Sequence, residues 1–452
     1  MQEGWLGGEY ITLFEEKALA LEQAYGLSEF LPRYRLVGLR EETDFIVKDS
    51  SGSLFTVPTI PLVEDLLKPF EFQDSRPELV ADDDRRGKIK WHFIPRVFGG
   101  NPRAKANPIW ITLEEHIRVV QWWNELNRRR GGINIVDWGE DDEWAVILAT
   151  CNLIIPHRPE QAPLYYERGI ALHKLEQFDT AIADFNKALS LDPSDARSYC
   201  SRGAVHLDKT DFPLALADLD KAISLDPNDA EAYNYRGIAH AETGQPALAL
   251  ADYEKAVSID PAYVEAYVNR AHIYSETGEL TLALADLDES VSLGCNEPAI
   301  FIHRGCLHVE LGNVTSALED FDEAIRLDPT NVLAYSNRGA AHSKLGQVQR
   351  AIEDYGAAIR CDPGYPNSYS NRAFAYYKLG EYEKGIADCE RALTLRPNHA
   401  ATYINRGHCF AALGNSERAA ADFRFALAQV CAPSKSERKE ALDGLNALGL
   451  DP

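Results

Sequence analysis

Methionine occurs once in the 452 residues, and none of the seven tryptophans lies beyond Trp144. The eight cysteines form no CxxC pair. That spacing excludes a disulfide scaffold and a paired-thiol zinc module, and predicts small apolar side chains buried in a reducing compartment. There is no phosphate-binding glycine loop, no GxSxG elbow and no HExxH pair, so the commonest nucleotide, serine-hydrolase and zinc-protease chemistries are unsupported. Long apolar runs are missing too. The longest, Trp144 to Ile155, has about 12 residues, against roughly 20 for a membrane span. The start, MQEGWLGGEYITLFEEK, has neither a basic region nor an apolar leader core, and predicts a soluble, cytoplasmic protein. Positive charge is scarce: 46 basic against 70 acidic residues, a net of −24. Such a field repels nucleic acid and anionic membrane, and leaves a protein or peptide as the expected partner.

The tryptophans mark a boundary. Residues 1–155 form one region, the polar, proline-containing 156–161 reads as a linker, and beyond it a 34-residue period sets in. Counted from Ala162, repeats start at Ala196, Ala230, Val264, Pro298, Val332, Pro366 and Ala400 without insertion. Position 4 is always aromatic, from Tyr165 to Tyr403; position 8 is Gly or Ala; position 20 is Ala except for Gly385; position 24 is large and apolar except for Cys389. Small residues at 8 and 20 allow two helices to approach closely, and the large residues fill the space between them. Proline at position 32 of six repeats ends the second helix. The fourth repeat departs, with Gly294-Cys295-Asn296-Glu297 and Ser290 in place of Ala, and predicts a loosened junction.

These positions resemble the tetratricopeptide-repeat family over residues 162–433. The resemblance implies an all-α solenoid, a right-handed superhelix of about eight helix–turn–helix repeats; with the α+β domain read below from the patterns of residues 1–155, the chain is multidomain. Residues 434–452 supply a capping helix and tail, since Ser434 starts a charged stretch with a stripe of Leu442, Leu445 and Leu448.

Arg occupies position 7 and Asp position 23 in every repeat. Two readings exist: a spiral of arginines gripping acidic ligands, or a ladder of structural ion pairs such as Arg236 with Asp252 and Arg338 with Asp354. The equal supply of Asp favours the ladder. Position 11 is His206, His240, His308 and His342 in four repeats and Leu or an aromatic elsewhere, which marks a packing position and no metal site.

In the tetratricopeptide family the first helix lines the inside of the superhelix, so the resemblance points to positions 2, 5, 6, 9, 12 and 13. Position 6 is Asn269, Asn337, Asn371 and Asn405 in repeats four, six, seven and eight. Each Asn offers one acceptor and two donors to a peptide unit. Position 13 is acidic in repeats two to five (Asp208, Glu242, Glu276, Glu310) and basic in repeats six and seven (Lys344, Lys378). An extended peptide with unlike ends is the expected guest. The family's carboxylate clamp does not fit the first repeats, where position 6 is Glu167, Ser201 and Tyr235; Lys344, Lys378, Asn337 and Asn371 make a partial version later.

In residues 1–155, helical periodicity runs from Ile11 to Tyr25. Strand patterns cover Tyr34–Gly38, Asp44–Lys48, Leu54–Val57, Lys88–Pro95, Ile109–Leu113 and Ile133–Trp138, and Thr112–Arg130 reads as a helix. The stretch LPRYRLVGLREETDFIVKDSSGSLFTVP, with VFGG and WITLEEHIRVVQWWN, resembles the SUKH-type domain of toxin-immunity proteins and cell-wall regulators. The functional expectation is a non-catalytic interaction scaffold without cofactor or metal. The alternatives are an immunity or regulatory protein acting through residues 1–155, or an enzyme there. For the enzyme, Glu115 and His116 are the only candidates, and a solvated surface explains them too.

Overall fold

The computed structural model describes residues 2–6, 9–13, 18–27, 31–40, 44–51, 53–59, 68–70, 88–92, 108–112, 116–121, 140–428 and 432–450. The chain divides into two compact units, 1–239 and 240–452.

The first unit opens with an antiparallel meander in sequence order: β1 Gln2–Leu6, β2 Glu9–Leu13, β3 Arg35–Arg40, β4 Asp44–Lys48, β5 Leu54–Pro58 and β6 Lys68–Phe70. Helix α1, Ala18–Tyr25, links β2 to β3; β7 Lys88–His92 and β8 Pro108–Thr112 form a separate pair. The periodicity from Ile11 to Tyr25 therefore covers two elements. Ile11 and Thr12 are β-branched and pair into β2, so the helix starts only at Ala18. Asp49 closes the β4–β5 hairpin by accepting from the backbone N–H groups of Ser51 and Ser53, both at 2.9 Å. A register shift between Leu36 and Gly38 lets Leu36 and Leu39 both reach the core from one strand. Residues 116–121 are helical; the rest of the expected 112–130 helix beyond β8, and the expected strand at Ile133–Trp138, lie outside the described residues.

His116 is fully buried, and its Nδ1 meets Tyr25 Oη at 2.8 Å. The solvated placement expected for it is thus corrected: the ring sits under Tyr25, which packs edge-on against Phe45. Glu115 lies outside the described residues.

Helix α2, Glu140–Ile154, is followed by the 3-10 turn Ile155–His157. The repeats follow as helix pairs A and B. Repeats one and two are α3 Ala162–Lys174 with α4 Phe178–Leu191, and α5 Ala196–Asp208 with α6 Phe212–Leu225. Helix A of repeat three is α7, Ala230–Glu242, within which the two units divide. The second unit holds α8 Pro246–Ile259, α9 Val264–Thr277, α10 Leu280–Ser292, α11 Pro298–Glu310, α12 Val314–Leu327, α13 Val332–Lys344 and α14 Val348–Cys361. It continues with α15 Pro366–Lys378, α16 Tyr382–Leu395, α17 Ala400–Ala412, α18 Ser416–Leu427 and the terminal α19 Lys435–Ala447.

The packing follows the repeat positions. A Cβ built on Gly305 would lie 2.6 Å from the Phe321 ring, so position 8 must stay small where position 24 inserts. Full burial of a ring such as Phe321 contributes about 2–3 kcal/mol. Turns between A and B helices need a left-handed residue. Gly supplies it in repeats three to eight, for example Gly278 at φ +85°, whereas Glu176 (φ +57°) and Thr210 (φ +60°) hold it in repeats one and two. The fourth repeat's B helix, α10, ends one residue short of its neighbours, and Gly294 turns out of it at φ +95°. Helix α19 begins with a full capping box, Ser434 and Glu437 each bonding the other's backbone N–H. Its Ala441 and Leu445 are buried against Ile404 and Phe423.

Candidate functional site

The arginines at position 7 are closed. Arg338 places Nε and Nη2 on the two carboxylate oxygens of Asp354 at 3.0 and 2.6 Å. The same bidentate pair recurs as Arg168–Asp184, Arg202–Asp218, Arg270–Asp286, Arg304–Asp320, Arg372–Asp388 and Arg406–Asp422. Each guanidinium also lies over the aromatic ring at position 4, for Arg338 at 5.5 Å from the Tyr335 centroid. In repeats one, two, three, five and six a further guanidinium nitrogen reaches back to position 25 of the preceding B helix. Arg338 Nη1 meets Asp322 at 2.6 Å, Arg304 meets Asp288 at 3.0 Å and Arg236 meets Asp220 at 2.7 Å. Asp252, in the second unit, is buried with His240 Nε2 3.8 Å away. The bidentate bond to a buried carboxylate makes each of these arginines a part of helix register.

Arg168 makes the backward contact to Asn152 of α2, at 2.8 Å. Asn152 stands 34 residues before Asn186, which does the same for Arg202. Helix α2 is thus a B helix that precedes the first repeat, and its Ile147, Cys151 and Ile154 belong to the core formed with Tyr25, Phe45 and Val119.

The histidines at position 11 pack over the same carboxylates, with Nε2 3.8–3.9 Å from Asp218, Asp252, Asp320 and Asp354. Burial lowers the His206 pKa, so its neutral form is favoured.

The free chemistry lies on the other face of the A helices. In the second unit the A helices of repeats five to eight lie side by side. Of the Asn row, Asn405 donates to Ser370 O at 3.1 Å and Asn337 contacts Cys306 Sγ at 3.6 Å, so both tie an A helix to its predecessor. Asn269 also has a partner within the chain. Asn371 alone of the four makes no such bond. Lys344 Nζ is held by Val309 O at 2.8 Å, capping the preceding helix. Lys378 sits over the Phe374 ring at 4.6 Å, its charge otherwise exposed. Glu276 faces His272 at 3.5 Å, and Glu242 is exposed. Beside Lys378, Phe374 stacks on Tyr377 at 6.3 Å, and Tyr377 lies 5.5 Å from His408. This aromatic row falls at positions 9 and 12, two of the positions to which the family resemblance points.

The cysteines divide. Cys151, Cys200, Cys389 and Cys409 are buried as expected, Cys295 and Cys306 are half-buried, and Cys361 is exposed at the end of α14, a correction that follows from its place in the last turn. Cys431 lies outside the described residues.

Tetratricopeptide-repeat models match residues 140–199, 203–271, 264–293, 305–346, 343–380 and 366–399. The chain is a tetratricopeptide-repeat protein over residues 140–399, and the class is one of interaction scaffolds. The matches begin at α2, so the resemblance of the N-terminal region to the SUKH-type domain gains no support from them. No curated protein matches the chain. Among solved structures it is similar to a tetratricopeptide repeat protein from Parabacteroides merdae, at 25% identity and TM-score 0.45 over 55% of this chain and 98% of that one. It is similar to YrrB, a TPR protein with an unusual peptide-binding site, at 22% identity and TM-score 0.37 over 41% and 95%. The Cut9–Hcn1 assembly of the APC/C is matched at 19% identity and TM-score 0.44 over 68% and 60%. Among the described residues no helix is long and apolar enough to cross a membrane.

Proposed function

We propose that the A-helix wall of the second unit holds an extended segment of a protein partner, and that the chain acts as a non-catalytic adaptor. The observation that carries this reading is the contrast between the two faces of the same helices. Arg372 is tied by two bonds to the buried Asp388, while Asn371, Lys378 and the Phe374–Tyr377 pair keep unspent hydrogen-bonding, charge and ring surface. An Asn amide can pair with both groups of one peptide unit, and aromatic rings supply area at low entropic cost. Glu276 and Glu310 precede Lys344 and Lys378 along the wall, so a guest with a basic end and an acidic end is oriented. Affinity capture with the full chain, followed by mass spectrometry, tests this against the variant Asn371→Ala/Lys378→Glu. Partners held by the parent chain are lost from the variant; retention of the same partners by both refutes the assignment of the wall.

A further inference from the structure

The junction between repeats two and three gathers a thiol and two carboxylates. Cys200 lies on α5, Asp229 just before α7 and Glu231 in its first turn. One ligand atom from each, a sulfur and two carboxylate oxygens, lies within 4.8 Å of the others, and among the described residues no second group of three His, Cys, Asp or Glu side chains does this. Cys200 is 3% exposed and its sulfur has no hydrogen-bond partner. Asp229 is half-buried and held in place by Ala232 N at 3.1 Å, and Glu231 is exposed and accepts from Tyr235 Oη at 3.1 Å.

The preceding junction shows what is missing. There the equivalent positions are Tyr166, Asp195 and Arg197. Arg197 bonds Asp195 at 3.1 Å and covers the Tyr166 ring at 4.9 Å, so that junction carries its own cation. Where Arg197 stands in that junction, the next has Glu231, and where Tyr166 stands it has a thiol. A cation from outside the chain would take the place that Arg197 fills one junction earlier.

We propose that Cys200, Asp229 and Glu231 bind a divalent transition-metal cation, with zinc the best fit. A thiolate and two carboxylates form a borderline-soft donor set of the type zinc accepts, and three protein ligands leave the fourth tetrahedral position on the solvent side, where Glu231 is exposed. Typical zinc bond lengths of about 2.0–2.3 Å require the three donors to draw in by roughly 1 Å, which the rotatable Glu231 side chain can absorb. The thiol releases its proton to solvent on binding. The ion would clip α5 to the start of α7 and so fasten the third repeat to the second.

The test uses the full chain stripped of metal with a chelator. Cobalt(II) titration reads the thiolate-to-cobalt charge-transfer absorption, and zinc competition gives the affinity. One equivalent of cobalt produces the band, zinc removes it, and the melting temperature rises with zinc. Cys200→Ala abolishes the band, while Cys361→Ala, at the exposed cysteine, retains it. Glu231→Gln, on the surface and harmless to folding, weakens zinc binding by at least about tenfold, the smallest effect that even an outer-shell partner has at such sites. Absence of the band in the parent chain, its survival in Cys200→Ala, or unchanged zinc affinity in Glu231→Gln overturns the proposal.

Discussion

Arg168 Nη1 donates to Asn152 Oδ1 at 2.8 Å, the same backward bond that Arg304 makes to Asp288 and Arg338 to Asp322. Through it α2 is joined to the first repeat by the rule that joins the repeats to one another. Asn152→Ala therefore lowers the unfolding free energy by about 1 kcal/mol, the usual worth of such a bond, and Asn152→Asp, the residue found at positions 220, 288 and 322, at least restores it. Urea denaturation of the three chains measures the difference.

Asp354 is buried and accepts two bonds from Arg338. Removing it strands a guanidinium inside the ladder. Asp354→Ala costs about 3 kcal/mol, and the double variant Asp354→Ala/Arg338→Met recovers a large part of that loss, because an apolar pair needs no partner. A double-mutant cycle by chemical denaturation reads the coupling. Additive losses would show that the pair does not act as a unit.

Thr210 occupies the left-handed position that Gly fills in repeats three to eight. A β-branched residue there is strained by roughly 1–2 kcal/mol. Thr210→Gly raises the stability of the chain by about 1 kcal/mol, after the greater flexibility of glycine in the unfolded chain is subtracted. A thermal melt showing a fall would contradict the strain.

Much of this architecture was legible because a period of 34 residues repeats one set of steric rules. Gly305 against Phe321, or Pro329 at position 32 of the fifth repeat, follows a rule that most copies share. What escaped notice is what a period counted from Ala162 leaves out. Asn152 carries the mark of the period, yet its helix has Thr150 where the repeats have Asp, so α2 looked like an N-terminal element. The Asn row was legible by type and not by use. Position 6 places an amide where the neighbouring helix can reach it, and Ser370 takes Asn405 while Asn371 is left over. The SUKH-type resemblance rested on strand patterns. Strands Asp44–Lys48 and Leu54–Pro58 form the expected hairpin, but such a pairing is common to many α+β folds and identifies none. Motif spacing alone does not see side chains from two repeats meeting across a turn, as those of Cys200, Asp229 and Glu231 do.

Glu167, on the A helix of the first repeat, has its carboxyl pushed up from 4.5 to about 7, chiefly by burial and partly offset by Arg197. The folded chain holds this proton more tightly than the unfolded one. Its contribution is therefore fully present below about pH 4.5 and is lost as pH rises towards 7. Glu167→Gln lacks that loss, so the stability of the variant relative to the parent increases over this interval and is level above it. Denaturation midpoints at a series of pH values check the sign. A difference that shrinks with rising pH would contradict the placement of Glu167.

In the proposed function a guest chain lies along the A helices and not on the B helices. A photo-crosslinking residue placed at Phe374, on the wall, and in a second chain at the exposed Leu282 of α10, tests it directly. A covalent adduct with a captured partner forms from position 374 and none from position 282. Adducts from position 282 alone would contradict it.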